Sequence, residues 1–153
     1  MKAEVVYCTH KGNTRKVAEA IGEALRPRAS VEVVAVESAA TTIAPDVDLL
    51  FVGGPTEGHG MTPEIRSFLD RIDTESIRGR AVAAFDTRLD WPRLLSGSAA
   101  DSIAREMTAK GARVIPAHGS FIVNMDPALE PGELDRAREW AVAVADASQA
   151  VRV

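Results

Sequence analysis

A short polar segment follows the first apolar run of the chain and carries the residue types that bind anions. It reads T-H-K-G-N-T at positions 9–14, and an amphipathic stretch comes directly after it. A helix that begins here would offer unpaired main-chain N–H groups and a partial positive charge, which suit a phosphate. The hydroxyls of Thr9 and Thr14 can donate to phosphate oxygens, Lys11 can add charge, and the backbone can curl closely at Gly12. The segment therefore predicts a phosphate site.

Two other interpretations of this segment stay open. One is a helix start capped by Asn13 or Thr14, with no ligand. The other is a low-molecular-weight protein phosphatase, in which Cys8, Arg15 and the later Asp126–Pro127 would supply the nucleophile, the phosphate-binding arginine and the general acid. Six residues separate Cys8 from Arg15, one more than the C-x5-R loop of those enzymes. Cys8 also continues an apolar strand, where cysteine is usually an inert small hydrophobe.

Two later segments contain residues that could surround a flat ligand. Trp91 lies among charged residues and can either stack on a ring or anchor local packing. His59 stands between two glycines, either as an exposed loop residue or as a group that can exchange a proton near neutral pH. A carboxylate at Glu57 would place a negative charge beside such a ligand.

Apolar runs alternate with amphipathic stretches and predict the elements that position these loops. Strands are predicted at Ala3–Cys8, Val31–Val36, Leu49–Gly53, Ala81–Phe85 and Arg113–Pro116, the last resuming at Phe121–Val123. Helices are predicted at Asn13–Leu25, from Pro63 with Thr62 as cap, at Ser98–Lys110 and at Glu133–Ala147. The segment 37–47 reads as a loop or a single turn. Apolar strands separated by helices indicate a parallel sheet covered on both faces, with ligands beyond the carboxyl ends of its strands.

Composition narrows the class of protein. The 153 residues are 46% hydrophobic and 26% charged, with a net charge of -4, one cysteine and no apolar run of membrane-spanning length. An acidic balance disfavours a nucleic-acid partner. No secretory leader pattern is visible, and a lone cysteine forms no internal disulfide. We expect one cytoplasmic domain spanning 1–153, without a membrane span and with an unspecified oligomeric state. Trp140 is expected in the core.

Read together, three loops resemble those of flavodoxins. T-H-K-G-N-T resembles the family's phosphate loop at Thr9, Gly12, Asn13 and Thr14, with Lys11 where a hydroxyl is usual. V-G-G-P-T-E-G at 52–58 is similar to the second flavin loop, with a glutamate in the usual aromatic position. A-F-D-T at 84–87 resembles the start of the third loop.

This resemblance implies a three-layer α/β sandwich with a five-stranded parallel sheet of order 2-1-3-4-5 and FMN as cofactor. It places the FMN phosphate on Thr9, His10, Lys11, Gly12, Asn13 and Thr14. It places the isoalloxazine between two loops that contain Pro55, Thr56, Glu57, Gly58 and His59 on one side and Asp86, Thr87, Arg88 and Trp91 on the other. No catalytic side chain and no metal site are implied.

The resemblance implies an electron-transfer protein that serves a reductase and an acceptor. A rim of carboxylates, with Glu57, Asp86 and Asp90 as candidates, would steer a basic redox partner. One alternative is an FMN-dependent oxidoreductase acting on a small molecule such as a quinone or a porphyrinogen. Another is a flavin-free binding module on the same fold, which Lys11 and Glu57 favour.

Overall fold

One parallel sheet forms the centre of the protein, whose computed structural model describes residues 1–150. Its strands are β1 (Lys2–Tyr7), β2 (Ser30–Ala35), β3 (Leu49–Pro55), β4 (Ala81–Leu89), β5 (Arg113–Val114) and β6 (Gly119–Val123). The strands follow the order β2-β1-β3-β4-β5, and β6 also pairs with β4. In the middle of the sheet, Val5 lies between Val33 and Phe51. The predicted strand order is confirmed, and the fifth strand is interrupted as expected.

Residues 1–150 contain six α-helices, five of them between strands and the sixth after β6. They are α1 (Asn13–Leu25), α2 (Pro63–Arg71), α3 (Thr74–Ile77), α4 (Arg93–Ser96), α5 (Ala99–Ala109) and α6 (Glu133–Ala150). The predicted cap of α2 is confirmed, because Thr62 Oγ1 accepts the N–H of Ile65 at 3.3 Å. The second crossover contains only a single 3-10 turn, Val36–Ser38, as the polar sequence of that segment indicated.

The helices cover both faces of the sheet because successive strand residues point to opposite sides. Val5 and Phe51 pack in one hydrophobic cluster with residues of α1 and α6 such as Ile21 and Ala141. The neighbouring strand residues pack in a second cluster with α2 and α5; it includes Val6, Val52, Phe68, Leu69, Ile103 and Met107. The result is the predicted three-layer α/β sandwich.

Trp140 of α6 is partly buried and packs against the cluster that contains Val5 and Phe51, so its prediction as a core residue is confirmed only in part. Its ring packs edge-on against Phe51 and Phe121, with centroid distances of 5.6 and 5.9 Å. Its indole N–H donates to the carbonyl of Ala117 at 2.8 Å, so its polar atom is satisfied.

β4 is longer than predicted, which corrects the boundary of the third loop. Main-chain pairing continues past Phe85, with Asp86 opposite both Gly54 of β3 and Ser120 of β6. The polar residues at 86–88 suggested a loop, but a neighbouring strand on each side pairs their main chain. The loop therefore begins only after Leu89, and Asp86, Thr87 and Arg88 belong to the strand.

No helix within residues 1–150 is both long enough and apolar enough to span a lipid bilayer.

Candidate functional site

The first loop leads from β1 into the N-terminus of α1 with unpaired donors at its end. Gly12 adopts φ 89° and ψ -9°, and its carbonyl accepts the first helical hydrogen bond, from Lys16 N at 3.2 Å. The N–H groups of Asn13, Thr14 and Arg15 precede that bond and so have no partner inside the helix. The sequence pattern predicted that these groups bind an anion, and that role stays a prediction.

Side chains around this helix end make contacts other than capping, and no side chain within residues 1–150 caps α1. Asn13 Nδ2 donates to the carbonyl of Pro127 at 3.0 Å. Thr14 Oγ1 and Thr87 Oγ1 share a hydrogen bond of 2.9 Å. Thr9 Oγ1 accepts the N–H of Gly12 at 2.9 Å. The alternative in which Asn13 or Thr14 caps the helix is therefore wrong, and the helix end stays open to a ligand.

Gly12 keeps the loop in a shape that other residues rarely adopt. Its φ lies in the left-handed region, where a side chain is strained. A Cβ built at this position meets no atom within 4 Å, so the space beside the loop is open. The glycine is thus required by backbone conformation rather than by crowding within the chain.

A cavity of about 380 Å³ lies in front of the loop. That volume is within the range of small-molecule binding sites. Nine predicted site residues line it, namely Thr9, His10, Lys11, Asn13, Thr14, Pro55, Thr56, Glu57 and Thr87. The predicted first and second loops therefore meet at one cavity.

The loop after β6 completes this cavity and was missed as part of the site. It contributes Val123, Asn124, Met125 and Pro127. Its main chain turns back at 124–128, where Asn124 N donates to Ala128 O at 3.0 Å. The signal available in the sequence was the resumption of strand five at Phe121–Val123, because whatever follows that strand must emerge at the same edge of the sheet.

The second loop forms a tight turn over 57–60. Glu57 and Gly60 exchange main-chain hydrogen bonds of 3.0 and 3.1 Å. The two central residues, Gly58 and His59, both have positive φ, at 56° and 68°, as in a type I′ turn. Gly97 packs against this turn so closely that a Cβ there would lie 2.0 Å from the carbonyl oxygen of His59. The close approach holds the turn beside the segment that leads into α5.

A second cavity of about 220 Å³ adjoins the first at Thr56 and Leu89, which line both. It brings together four further predicted residues of the second and third loops, Gly58, His59, Arg88 and Trp91. The Trp91 side chain is half-exposed and borders this space as an apolar wall. Trp91, for which stacking on a flat ligand was one interpretation, therefore lies at a cavity.

The guanidinium of Arg88 makes hydrogen bonds within the protein. Its Nε donates to Ser120 Oγ at 2.7 Å, and its Nη1 donates to the carbonyls of Leu89 and Trp91 at 3.2 and 3.0 Å. Arg88 therefore shapes the loop that carries Trp91.

His10 links the first loop to the second loop and to α2. Its Nδ1 lies 2.6 Å from Glu57 Oε2, and its Nε2 is hydrogen-bonded to Glu64 Oε2. The bond to Glu64, followed by the bond to Glu57, raises the pKa of His10 above its usual value. The same contact with His10 lowers the pKa of Glu64. The Glu57 carboxylate is thus paired with an imidazole, which reduces the negative charge expected beside a ring.

Asp86 lines neither cavity and cannot belong to an exposed carboxylate rim, which corrects that prediction. It is fully buried. Its carboxylate accepts hydrogen bonds from Ser98 Oγ at 2.7 Å, Ala100 N at 3.0 Å and Ser120 Oγ at 2.6 Å. Its contacts are those of a structural residue that ties β4 to α5 and β6. Asp90, the other candidate after β4, is exposed.

The geometry also disagrees with the phosphatase alternative. Burial raises the pKa of the Cys8 thiol to about 11, whereas a nucleophilic thiolate needs a lowered pKa. The Cys8 sulfur accepts a hydrogen bond from Thr62 Oγ1 at 3.4 Å. Arg15 is paired with Glu19 at 3.0 Å on the exposed side of α1. The thiol and the arginine that this reaction requires therefore have other partners in the structure.

A family model described as flavodoxin domain matches residues 4–94, more than half of the chain. This chain belongs to the flavodoxin domain family. The match includes the first two loops and all of β4. No curated protein matches the sequence.

Solved structures show the same fold at low sequence identity. A flavodoxin from the domain Archaea superposes with a TM-score of 0.82 at 23% identity, covering 97% of this chain and 99% of that one. Oxidised Flavodoxin 2 from Bacillus cereus gives 0.80 at 20% identity, with 95% and 99% covered. The rubredoxin oxygen:oxidoreductase from Desulfovibrio gigas gives 0.76 at 20% identity, covering 97% of this chain but 36% of that one. The flavodoxin fold thus occurs both as most of a chain and as part of a longer one.

Flavodoxins typically bind FMN and transfer electrons to redox partners. Membership of this family supports FMN binding and electron transfer at the level of the family. The residues of this site fit the cofactor. The open helix end suits its phosphate, and the adjoining cavities offer apolar surface from Leu89, Trp91 and Met125 beside polar edges.

Proposed function

We propose that this chain is a single-domain FMN-binding electron-transfer protein of the cytoplasm. The observation that carries the proposal is the uncapped N-terminus of α1 at the head of a cavity of about 380 Å³. Its unpaired N–H groups are a feature that an anion would stabilise. A phosphate bound there would explain why the loop leaves its donors unsatisfied.

Residues of the first loop have defined parts in this proposal. The main-chain N–H groups of Asn13 and Thr14 bind the phosphate, and the hydroxyl of Thr14 is held beside them by Thr87. Lys11 is exposed at the cavity and adds positive charge. Bound FMN would supply a flavin ring that accepts and donates electrons.

The second and third loops orient the ring and exclude water from it. Glu57 and Gly60 close the turn on one side, and Trp91 provides an apolar wall on the other. Trp91 and two neighbours, Leu94 and Leu95, are among the most exposed large apolar side chains of residues 1–150. Exposed apolar surface beside a cofactor is suited to transient contact with a redox partner protein.

Flavin binding is tested by titrating the purified protein with FMN and with riboflavin, which lacks the phosphate. We expect FMN to bind at least about 100-fold more tightly, because only FMN occupies the helix end. Equal affinities would contradict the placement of the phosphate. A protein that binds neither compound would support the flavin-free binding module.

The loop itself is tested with Gly12→Ala. This substitution strains a positive φ and adds a methyl group where the ligand would approach, so FMN affinity should fall at least about tenfold. Gly132→Ala is a matched control, since Gly132 has φ 86°, also precedes a helix and has no atom within 4 Å of its Cβ position. Similar losses in the two variants would show that backbone strain alone explains the effect.

One observation favours a second candidate, an FMN-dependent oxidoreductase. The cavity of about 220 Å³ beside His59 and Trp91 could admit a small molecule such as a quinone next to the ring. A carrier reduces cytochrome c only when a reductase is supplied. Turnover without a reductase protein, of a quinone with a small-molecule electron donor or of a porphyrinogen with an electron acceptor, would instead support the enzyme.

A further inference from the structure

Three side chains with metal-binding atoms converge beside the flavin site. They are Cys8 at the end of β1, His10 in the loop that follows and Glu64 in the first turn of α2. Their candidate ligand atoms all lie within 4.8 Å of one another. Cys8 Sγ lies 3.7 Å from His10 Nε2 and 3.8 Å from Glu64 Oε2, and the nitrogen and oxygen are hydrogen-bonded.

The two distances from sulfur are close to those of a tetrahedral zinc site. With Zn–S of about 2.3 Å and Zn–N or Zn–O of about 2.1 Å, tetrahedral angles place sulfur about 3.6 Å from the other ligand atoms. Only the separation of His10 Nε2 and Glu64 Oε2, which are hydrogen-bonded to each other, must widen, to about 3.4 Å. Both side chains are about one-third exposed, at 32% and 37%, which leaves them room to adjust and leaves the cation a path of entry.

Two neighbouring residues already make contacts that orient these ligand side chains. Glu57 Oε2 lies 2.6 Å from His10 Nδ1, on the side of the imidazole opposite to the cluster. A carboxylate in that position fixes the ring and directs Nε2 toward a metal. Thr62 Oγ1 donates to Cys8 Sγ at 3.4 Å, a contact that would stabilise a thiolate. Two of the three candidate ligands are therefore held in position by contacts with neighbouring residues.

We propose that Cys8, His10 and Glu64 bind a divalent cation of the zinc type, with a fourth coordination position open to water. Sulfur, nitrogen and oxygen donors in tetrahedral arrangement suit Zn²⁺ and disfavour Mg²⁺ and Ca²⁺, which prefer oxygen ligands in larger number. On binding, the cation displaces the thiol proton of Cys8 and the proton held between His10 and Glu64. Both protons pass to the buffer, and no oxidation state changes.

Such a cation would join the first loop to α2. His10 lies within the loop proposed to bind phosphate, and Glu64 follows Thr62, which caps α2. The site does not need flavin for its assembly, since all its contacts are present within the chain. Metal binding and flavin binding can therefore be tested separately.

The test is a titration of the flavin-free 153-residue chain with Co²⁺, a spectroscopic substitute for Zn²⁺, under a non-chelating reductant. We expect saturation at one equivalent, a sulfur-to-cobalt charge-transfer band and visible bands of tetrahedral intensity. Added Zn²⁺ should abolish these bands, and excess Mg²⁺ should leave them. A titration without the charge-transfer band would overturn the proposal.

Substitutions test the ligands and the residue that orients His10. Cys8→Ser should lose the charge-transfer band, and Glu64→Gln, at a partly exposed position, should weaken Co²⁺ binding at least tenfold, by about 1.4 kcal/mol. Glu57→Gln should weaken it by about 10-fold to 100-fold through the orientation of His10. Asp70→Asn, an exposed carboxylate on the same helix as Glu64, is the matched control and should bind as the wild type does. Equal binding by Glu64→Gln and Asp70→Asn would contradict the assignment even if Cys8→Ser failed to fold.

Discussion

The polar groups that follow β1 and those near the end of β4 occupy the same edge of the sheet but differ in how their hydrogen bonds are satisfied. At the end of β1, the first N–H groups of α1 have no capping side chain. Near the end of β4, the carboxylate of Asp86 accepts three hydrogen bonds from α5 and β6. An open set of donors can bind a ligand, whereas a satisfied buried set stabilises the fold.

The network of satisfied polar groups around Asp86 extends through Ser120 to α6. Ser120 donates to Asp86, and the carbonyl of the same serine accepts a hydrogen bond from Arg136 of α6. Arg136 in turn pairs with Glu133 at 2.7 Å, and Glu133 accepts the main-chain N–H of Ile122 at 2.6 Å. These contacts connect three elements of the fold without contributing to the cavities, so the comparison predicts that mutations there affect stability more than binding.

Asp86→Ala should produce the largest effect. It leaves the hydroxyls of Ser98 and Ser120 and the N–H of Ala100 buried without their acceptor, so the free energy of unfolding should fall by about 3 kcal/mol. Urea denaturation measures the loss. Asp90→Asn, at an exposed position, should change stability by less than about 0.5 kcal/mol. If the free energy of unfolding fell no more in Asp86→Ala than in Asp90→Asn, the polar groups near the end of β4 would not stabilise the fold as proposed.

Thr14→Val tests the open region and should have a smaller effect of a different kind. It removes the hydroxyl shared with Thr87 while keeping the shape of the side chain, so stability should fall by about 1 kcal/mol. FMN affinity should fall about tenfold, because the hydroxyl lies beside the proposed phosphate. Isothermal titration calorimetry measures the affinity.

Thr108→Val is the control for this change. Thr108 donates its hydroxyl to Ala104 O within α5 and does not line either cavity described above. Its FMN affinity should match that of the wild type. An unchanged affinity in Thr14→Val would show that the hydroxyl takes no part in binding.

Glu133→Gln should give the smallest effect, visible as a change in pH dependence. Hydrogen bonds from Arg136 lower the pKa of Glu133 below its usual value of 4.5. A lowered folded-state pKa means that the carboxylate contributes stability above about pH 4.5 and loses it as the pH falls through the folded value. The contribution should be about 1 kcal/mol, because the side chain of Arg136 is about half-exposed.

The measurement is urea denaturation of both proteins between pH 6 and about pH 3. The wild type should lose more stability than Glu133→Gln across this range, and the two curves should converge at the acid end. Curves that stay parallel would indicate that Glu133 has the same pKa in the folded and unfolded states.

Local sequence patterns predicted much of the fold because they depend on short-range chemistry. The apolar face of 13–25 predicted α1 with both of its ends, and Thr62 before Pro63 predicted the cap of α2. The polar segment at 9–14 predicted a helix N-terminus facing a cavity, which the structure contains. In each case the determining residues lie within a few positions of one another.

Residues whose role depends on distant partners could not be assigned in the same way. Asp86 resembled a loop carboxylate, but two neighbouring strands and the cap of α5 enclose it. His10 and Glu64 are 54 positions apart, and nothing in the local sequence of either predicts their contact.

The sequence by itself determined the succession of strands and helices, the apolar faces of the helices and the residue at which α1 begins, because hydrophobic period and turn chemistry act within one element. Only the tertiary structure decided which polar groups are satisfied inside the protein and which remain available. That choice depends on strand pairing and helix packing between residues far apart in the chain, which bury Asp86 among donors and bring Cys8, His10 and Glu64 together.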